Sequence, residues 1–321
     1  MKKRILMIIL ASVLGLTACS SETLESQTEN NEGKFKIVST VFPGYDFAKN
    51  IAGENAQISL LLPPGSESHS YEPSPQDIIK IQNADLFIYV GGESEDWVSR
   101  ILDTMETKVK TLSMMEVVEV YEEETVEGMQ HDHDESDHDE SGHDEVAYDE
   151  HVWTSPVNAI KISRAISDML VETDPENAQL YSENAEVYIQ KLDKLDKDFK
   201  EFFDTVDNKL LIFGDRFPLR YFVEEYGLDY YAAFPGCSSE SEPSAATIAF
   251  LIDKAKEENI STIFNIEFSN HRISDSIAEA TGSETALFHT CHNVSKEEMD
   301  AGEDYISLMT QNLERLKGAM K

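Results

Sequence analysis

The strongest constraint on this fold is an alternation of short strand-like runs with helical stretches. Lys36-Ile-Val-Ser-Thr-Val41, Gln57-Ile-Ser-Leu-Leu-Leu62 and Asp85-Leu-Phe-Ile-Tyr-Val90 gather β-branched and apolar residues between turn signals, which is the pattern of buried strands. Residues 43–53 and 74–84 between them read as helices, the second with Pro75 in its first turn. Strand and helix in turn predict a mostly parallel sheet covered on both faces, with ligands gathering in the crevice beyond the carboxyl ends of the strands. Lys209-Leu-Leu-Ile-Phe213, Asp229-Tyr-Tyr-Ala-Ala233, Thr262-Ile-Phe-Asn-Ile266 and Thr285-Ala-Leu-Phe288 repeat the logic, with a helix over 247–258. The expected class is therefore α/β with two lobes, residues 34–174 and 205–321.

The joint between them has its own signature. Asp174-Pro175 resembles a helix cap with proline at the first position, and Tyr181, Ala185, Tyr188, Leu192, Leu195, Phe199 and Phe202 then recur at spacings of four and three. One helix over 175–204, on the order of 45 Å at 1.5 Å per residue, would run the length of a two-lobed molecule. Three heptads without interleaved charge pairing favour packing within the chain over a dimer seam, so a monomer is expected.

Met1-Lys-Lys-Arg4, the apolar run 5–16 and Leu16-Thr17-Ala18-Cys19 have the order of a secretory leader: charged start, short apolar stretch, small residues at the cut. Residues 1–18 are thus expected to be removed. The Leu-Thr-Ala-Cys spacing resembles a bacterial lipobox, which implies a lipid on Cys19, an extracytoplasmic location and a polar tether over 20–33. The formal charge of -36 disfavours nucleic acid and anionic lipid as partners and favours cations.

Between about residues 121 and 147 the alternation is broken by His131-Asp-His-Asp-Glu-Ser-Asp-His-Asp-Glu-Ser-Gly-His143, which has no lysine or arginine and no apolar period. Such a run cannot build a core. Its imidazoles, His131, His133, His138 and His143, are expected to gather metal weakly, because each binding event must order the chain. Five histidines remain outside it: His69, His151, His271, His289 and His292. His69, His151 and His289 follow strands or precede helices, where a parallel sheet displays binding residues. Cys237 and Cys291 are the thiols left after Cys19; a bridge between them is expected if their backbones come within reach, with free thiols or metal ligation as the alternatives.

Leu62-Pro-Pro-Gly-Ser-Glu-Ser-His-Ser-Tyr-Glu-Pro-Ser-Pro-Gln-Asp77, Val90-Gly-Gly-Glu-Ser-Glu-Asp-Trp97, Asp149-Glu-His-Val-Trp-Thr-Ser-Pro156 and Tyr181-Ser-Glu-Asn-Ala185 resemble motifs of the zinc and manganese solute-binding lipoproteins of bacterial ABC importers. The resemblance runs from about Phe35 to Leu316, and the histidine-rich insertion is similar to that of the zinc-specific branch. It implies two α/β lobes joined by a long rigid helix with the metal between them. It matches His69 to the first ligand and His151 to the second. The third falls on Arg216 in Phe213-Gly-Asp-Arg-Phe-Pro-Leu-Arg-Tyr-Phe222, and a guanidinium stays protonated and cannot ligate. Asp215 is the expected substitute, with Glu240 and Glu267 as alternatives. The fourth register holds His289. Three nitrogens and one oxygen suit tetrahedral Zn2+ better than Mn2+.

The resemblance thus implies a lipid-anchored receptor, not an enzyme, that delivers zinc to a permease and its ATPase. A manganese receptor, a secreted zinc hydrolase and a surface metal buffer are the rivals. No His-Glu-x-x-His or Gly-x-Ser-x-Gly motif supports the hydrolase.

Overall fold

The strand Phe35–Ser39 (β1) reaches the interior within two residues: Ile37, Val38 and Ser39 are buried, and parallel neighbours flank it on both sides. In the computed structural model, which describes residues 33–67, 71–105, 108–129, 147–238 and 242–320, these neighbours are Ala56–Leu60 (β2) and Leu86–Tyr89 (β3). Lys110–Ser113 (β4) extends the β3 edge to give the order β2-β1-β3-β4. The connections are the helices Phe42–Ala52 (α1), Pro75–Gln82 (α2) and Asp96–Thr104 (α3). Ser74 and Asp77 form a capping box at the start of α2, with Pro75 where the unpaired N–H would otherwise sit.

Pro156–Thr173 (α4) opens on a Ser155 cap and leads into Ala178–Phe203 (α5). The second sheet follows with Leu210–Phe217 (β5), Arg220–Tyr226 (α6), Asp229–Pro235 (β6), Ala245–Glu257 (α7), Thr262–Asn265 (β7), Arg272–Thr281 (α8) and Glu284–Leu287 (β8). Its order is β6-β5-β7-β8, again all parallel and with the same topology as the first. Lys296–Ala301 (α9) and Tyr305–Ala319 (α10) close the chain. The α/β class with two parallel sheets is the one the sequence predicts. Among the described residues no helix is long and apolar enough to cross a membrane.

The joining helix differs from expectation at both ends. Asp174 ends α4, its N–H donating to the Leu170 carbonyl, so Pro175 lies in a turn and α5 starts at Ala178. The Asp174 carboxylate instead accepts from Asn177 Nδ2 at 2.8 Å and from the Tyr181 hydroxyl, and so fastens the turn onto the first coil of α5. At the other end Phe203, not Phe202, is fully buried. The helix has 26 residues, about 39 Å at 1.5 Å per residue. It touches both lobes: Asn184 Nδ2 donates to the Ile51 carbonyl of α1 at 2.9 Å, and the Phe199 ring meets Phe222 of α6 edge-on at 5.1 Å. Apolar residues from α1, α5, α6 and α10 share one core, so the lobes are packed around the helix rather than strung on it.

Candidate metal centre

Both sheets change direction of winding between their second and third strands in spatial order, and the loops at the carboxyl ends there converge on one small cavity of about 20 Å³, room for roughly one ion or water. Ser66 and Glu67 reach it from the loop after β2, Arg216 and Pro218 from the end of β5, and Glu267 and Phe268 from the loop after β7. His292 and Asn293 enter from the turn after β8, and His151 from the segment before α4.

His151 arrives by a route that begins at the base of the histidine-rich insertion. Residues 121–123 pair antiparallel with 147–149: Glu122 bridges Tyr148, the Glu123 amide donates to the Ala147 carbonyl at 3.0 Å and the Asp149 amide to Tyr121 at 2.9 Å. Tyr221 of α6 donates its hydroxyl to the Asp149 carbonyl at 2.7 Å, which seats this ribbon on the second lobe. The Asp149 carboxylate then turns back on the chain. Its Oδ1 accepts the His151 amide at 2.8 Å and stands 3.1 Å from Nδ1 of the same fully buried imidazole. Burial opposes a charge on His151, but attraction to Asp149 outweighs it and the imidazole titrates above its ordinary value. A carboxylate on Nδ1 holds the proton there and makes Nε2 the lone-pair end, the usual support of a metal-binding histidine. Neighbouring Glu150 caps the Ser94 turn, accepting its amide at 2.8 Å and its hydroxyl. Gly92 makes room for it, since a Cβ there would come within 2.3 Å of that carboxylate.

The imidazole facing His151 is His292. The two rings stand 5.3 Å apart and nearly perpendicular, and Trp153 packs against both, at 5.6 Å from His151 and 4.9 Å from His292. The expected donor from this turn is His289, and the structure gives that residue other work. His289 Nδ1 accepts the Cys291 amide at 3.0 Å, Nε2 lies 3.5 Å from Glu298 Oε1, and its backbone is held on both sides by Asn312. With Nδ1 accepting, the proton belongs on Nε2, which leaves no lone pair for a metal. The neighbouring imidazole, with the Ser295 amide and hydroxyl, lowers the carboxyl of Glu298 to about 2. His289 does not line the cavity.

The other expected donors divide in the same way. His69 and Glu240 lie outside the described residues, as do Cys19 and the imidazoles at 131, 133, 138 and 143. Asp215 is buried, accepts the Arg216 amide at 2.9 Å and does not line the cavity; burial raises its carboxyl. Glu267 does line it, but its carboxylate accepts the Thr290 hydroxyl at 2.5 Å and the Thr290 amide at 2.8 Å, so it braces the His292 turn. Arg216 occupies its register with a 2.8 Å ion pair to Glu67 across the two lobes. Among the described residues no three histidine, cysteine or carboxylate side chains make a ready cluster.

Cys237 and Cys291 are free thiols, not a bridge. Cys237 follows β6 with its amide on Glu123 at 2.9 Å, whereas Cys291 is sealed in the shared core. Burial pushes both thiols up, away from the thiolate a metal would need.

A family model described as "Zinc-uptake complex component A periplasmic" matches residues 37–319. The zinc-binding lipoprotein AdcA of Streptococcus pneumoniae (strain ATCC BAA-255 / R6) is 35% identical over 321 residues, 99% of this chain but 61% of that protein's length. The high-affinity zinc uptake system protein ZnuA of Bacillus subtilis (strain 168) is 35% identical over 318 residues, 98% of this chain and 97% of that one. Among solved structures, the Zn(II)-bound ZnuA-like domain of Streptococcus pneumoniae AdcA superposes with a TM-score of 0.73 at 33% identity, covering 89% of this chain and 99% of that one. The metal-dependent lipoprotein YcdH from Bacillus subtilis gives 0.74 at 33% identity, with coverage of 89% and 99%.

Proposed function

The chain belongs to the zinc-uptake complex component A family, and on that premise we propose that it captures zinc between its lobes and hands it to the permease of an ABC importer. The observation that carries this reading is the pair of imidazoles, buried His151 and half-buried His292, standing 5.3 Å apart in a cavity with room for about one ion. We assign these two as donors, His292 in place of His289. His69 is the third: the loop that leads to it lines the cavity at Ser66 and Glu67. Of the carboxylates the sequence offers, Asp215 does not line the cavity and Glu267 is committed to Thr290, so Glu240 is the oxygen donor we assign. A set dominated by imidazole selects zinc over manganese.

The cleft binds and releases and does no covalent chemistry. Lobes packed on one long helix have little freedom to hinge, so release proceeds by local movement of the loops at the cavity. The histidine-rich insertion, whose described base pairs with the segment leading to His151, supplies weakly held zinc to the receptor. A lipid on Cys19 would hold the receptor outside the membrane near its permease and ATPase; the AdcA relative is likewise named a lipoprotein. Growth on limiting zinc, in a strain without other zinc importers, tests the reading: deletion should abolish growth that added zinc restores, and an unimpaired deletion strain contradicts import.

A further inference from the structure

A cation cleft is an unfavourable place for an arginine. Arg216 is permanently charged, lines the same cavity as His151 and His292, and its side chain is 20% exposed, so water screens it incompletely. What offsets it comes from the other lobe. Glu67 Oε2 stands 2.8 Å from Arg216 Nη2, and the loop bearing Glu67 is gripped by the turn that bears His292. Asn293 Nδ2 donates to the Pro63 carbonyl at 2.7 Å and to the Ser66 carbonyl at 2.9 Å, and the Gly65 amide donates to the Val294 carbonyl at 2.8 Å.

We propose that Glu67 neutralises Arg216 only while this loop is clamped to the His292 turn, and that parting the two exposes the bound cation to the guanidinium and drives its release. The inference rests on the zinc-capture reading and adds to it a charge switch built from one residue of each lobe. Closure brings a carboxylate onto the arginine and makes the cavity hospitable to a divalent ion. Withdrawal of the loop leaves a like charge beside that ion.

Zinc affinity by chelator competition, and zinc release by stopped flow, on the full chain and on Glu67→Gln, Arg216→Gln and the double variant test it. Both side chains reach solvent, so neither change disturbs the core, and thermal unfolding checks this. Glu67→Gln should weaken zinc by about tenfold or more and speed release. Arg216→Gln should bind at least as tightly as the parent and release more slowly. Glu67→Gln placed on Arg216→Gln should then change affinity by less than about threefold, the coupling expected of one charge acting through the other. An equal loss from Glu67→Gln in both backgrounds, or no loss with Arg216 present, overturns the switch and leaves zinc capture standing. A parent chain with no tight zinc site overturns zinc capture and the switch with it.

Discussion

The Trp153 indole N–H donates to the Thr290 carbonyl at 3.0 Å, and through this bond the segment carrying His151 is tied to the turn carrying His292. The donor lies two residues beyond one imidazole and the acceptor two before the other. Tyr305 of α10 supports the same link from below, its hydroxyl donating to the Trp153 carbonyl at 2.7 Å.

Trp153→Phe should therefore do more than remove ring area. The Thr290 carbonyl is buried and would lose its donor, at a cost of about 1–3 kcal/mol in thermal or urea unfolding. Zinc affinity should fall by about tenfold, as when a partner that orients metal ligands is lost. Parent-like affinity in a variant destabilised as expected would show that the bond holds the fold and does not set the distance between the imidazoles.

Asp46 gives a prediction about pH. It is buried among α1, α5 and α10, accepting from the Tyr188 hydroxyl at 3.1 Å and the Tyr305 amide at 3.2 Å. Burial, with repulsion from Asp304, raises its carboxyl from 3.8 to about 7. The fold thus prefers the protonated acid, and this contribution is full below pH 3.8 and lost as pH rises through about 7. Asp46→Asn keeps an accepting oxygen without the charge. It should be more stable than the parent by up to a few kcal/mol at pH 8, with the gain shrinking towards pH 4. Melting curves across that range check this, and a gain independent of pH would show that the carboxyl is not the titrating group.

Deleting residues 128–145 should leave one tight zinc site and remove the weak ones, because both ends of the insertion meet in the short ribbon at 121–123 and 147–149 while the two facing imidazoles lie beyond it. Calorimetric titration of the shortened chain reads both classes of site together. Loss of tight binding would move the centre into the insertion.

The sheets were legible because their central strands are continuous apolar runs, such as Leu86–Tyr89, with turn residues on either side. The edge strand Lys110–Ser113 was not, since four residues with one buried apolar side chain, Leu112, show no period. The start of α5 was misread because an Asp-Pro pair ends one helix as readily as it begins another. Which of them it does here depends on Asp174 reaching Tyr181 and Asn177. The position of His151 was legible from its place before a Ser-Pro helix start. That His292 and not His289 lines the cavity was not, because it depends on Nδ1 of His289 folding back onto the Cys291 amide, where Cys291 takes a positive φ of 60°. A signal was nonetheless present: His289 follows the last strand by only two residues and is buried, whereas His292 lies farther out on the turn, where the binding residues of such sheets lie.

The central claim is that zinc is held between His151 and His292. Competitive zinc titration of His292→Ala beside His289→Gln tests it most directly. The account predicts that His292→Ala loses the tight site while keeping the parent's melting temperature to within a few degrees, and that His289→Gln melts lower yet still binds one zinc tightly. Tight binding that survives in His292→Ala and vanishes in a folded His289→Gln would contradict it.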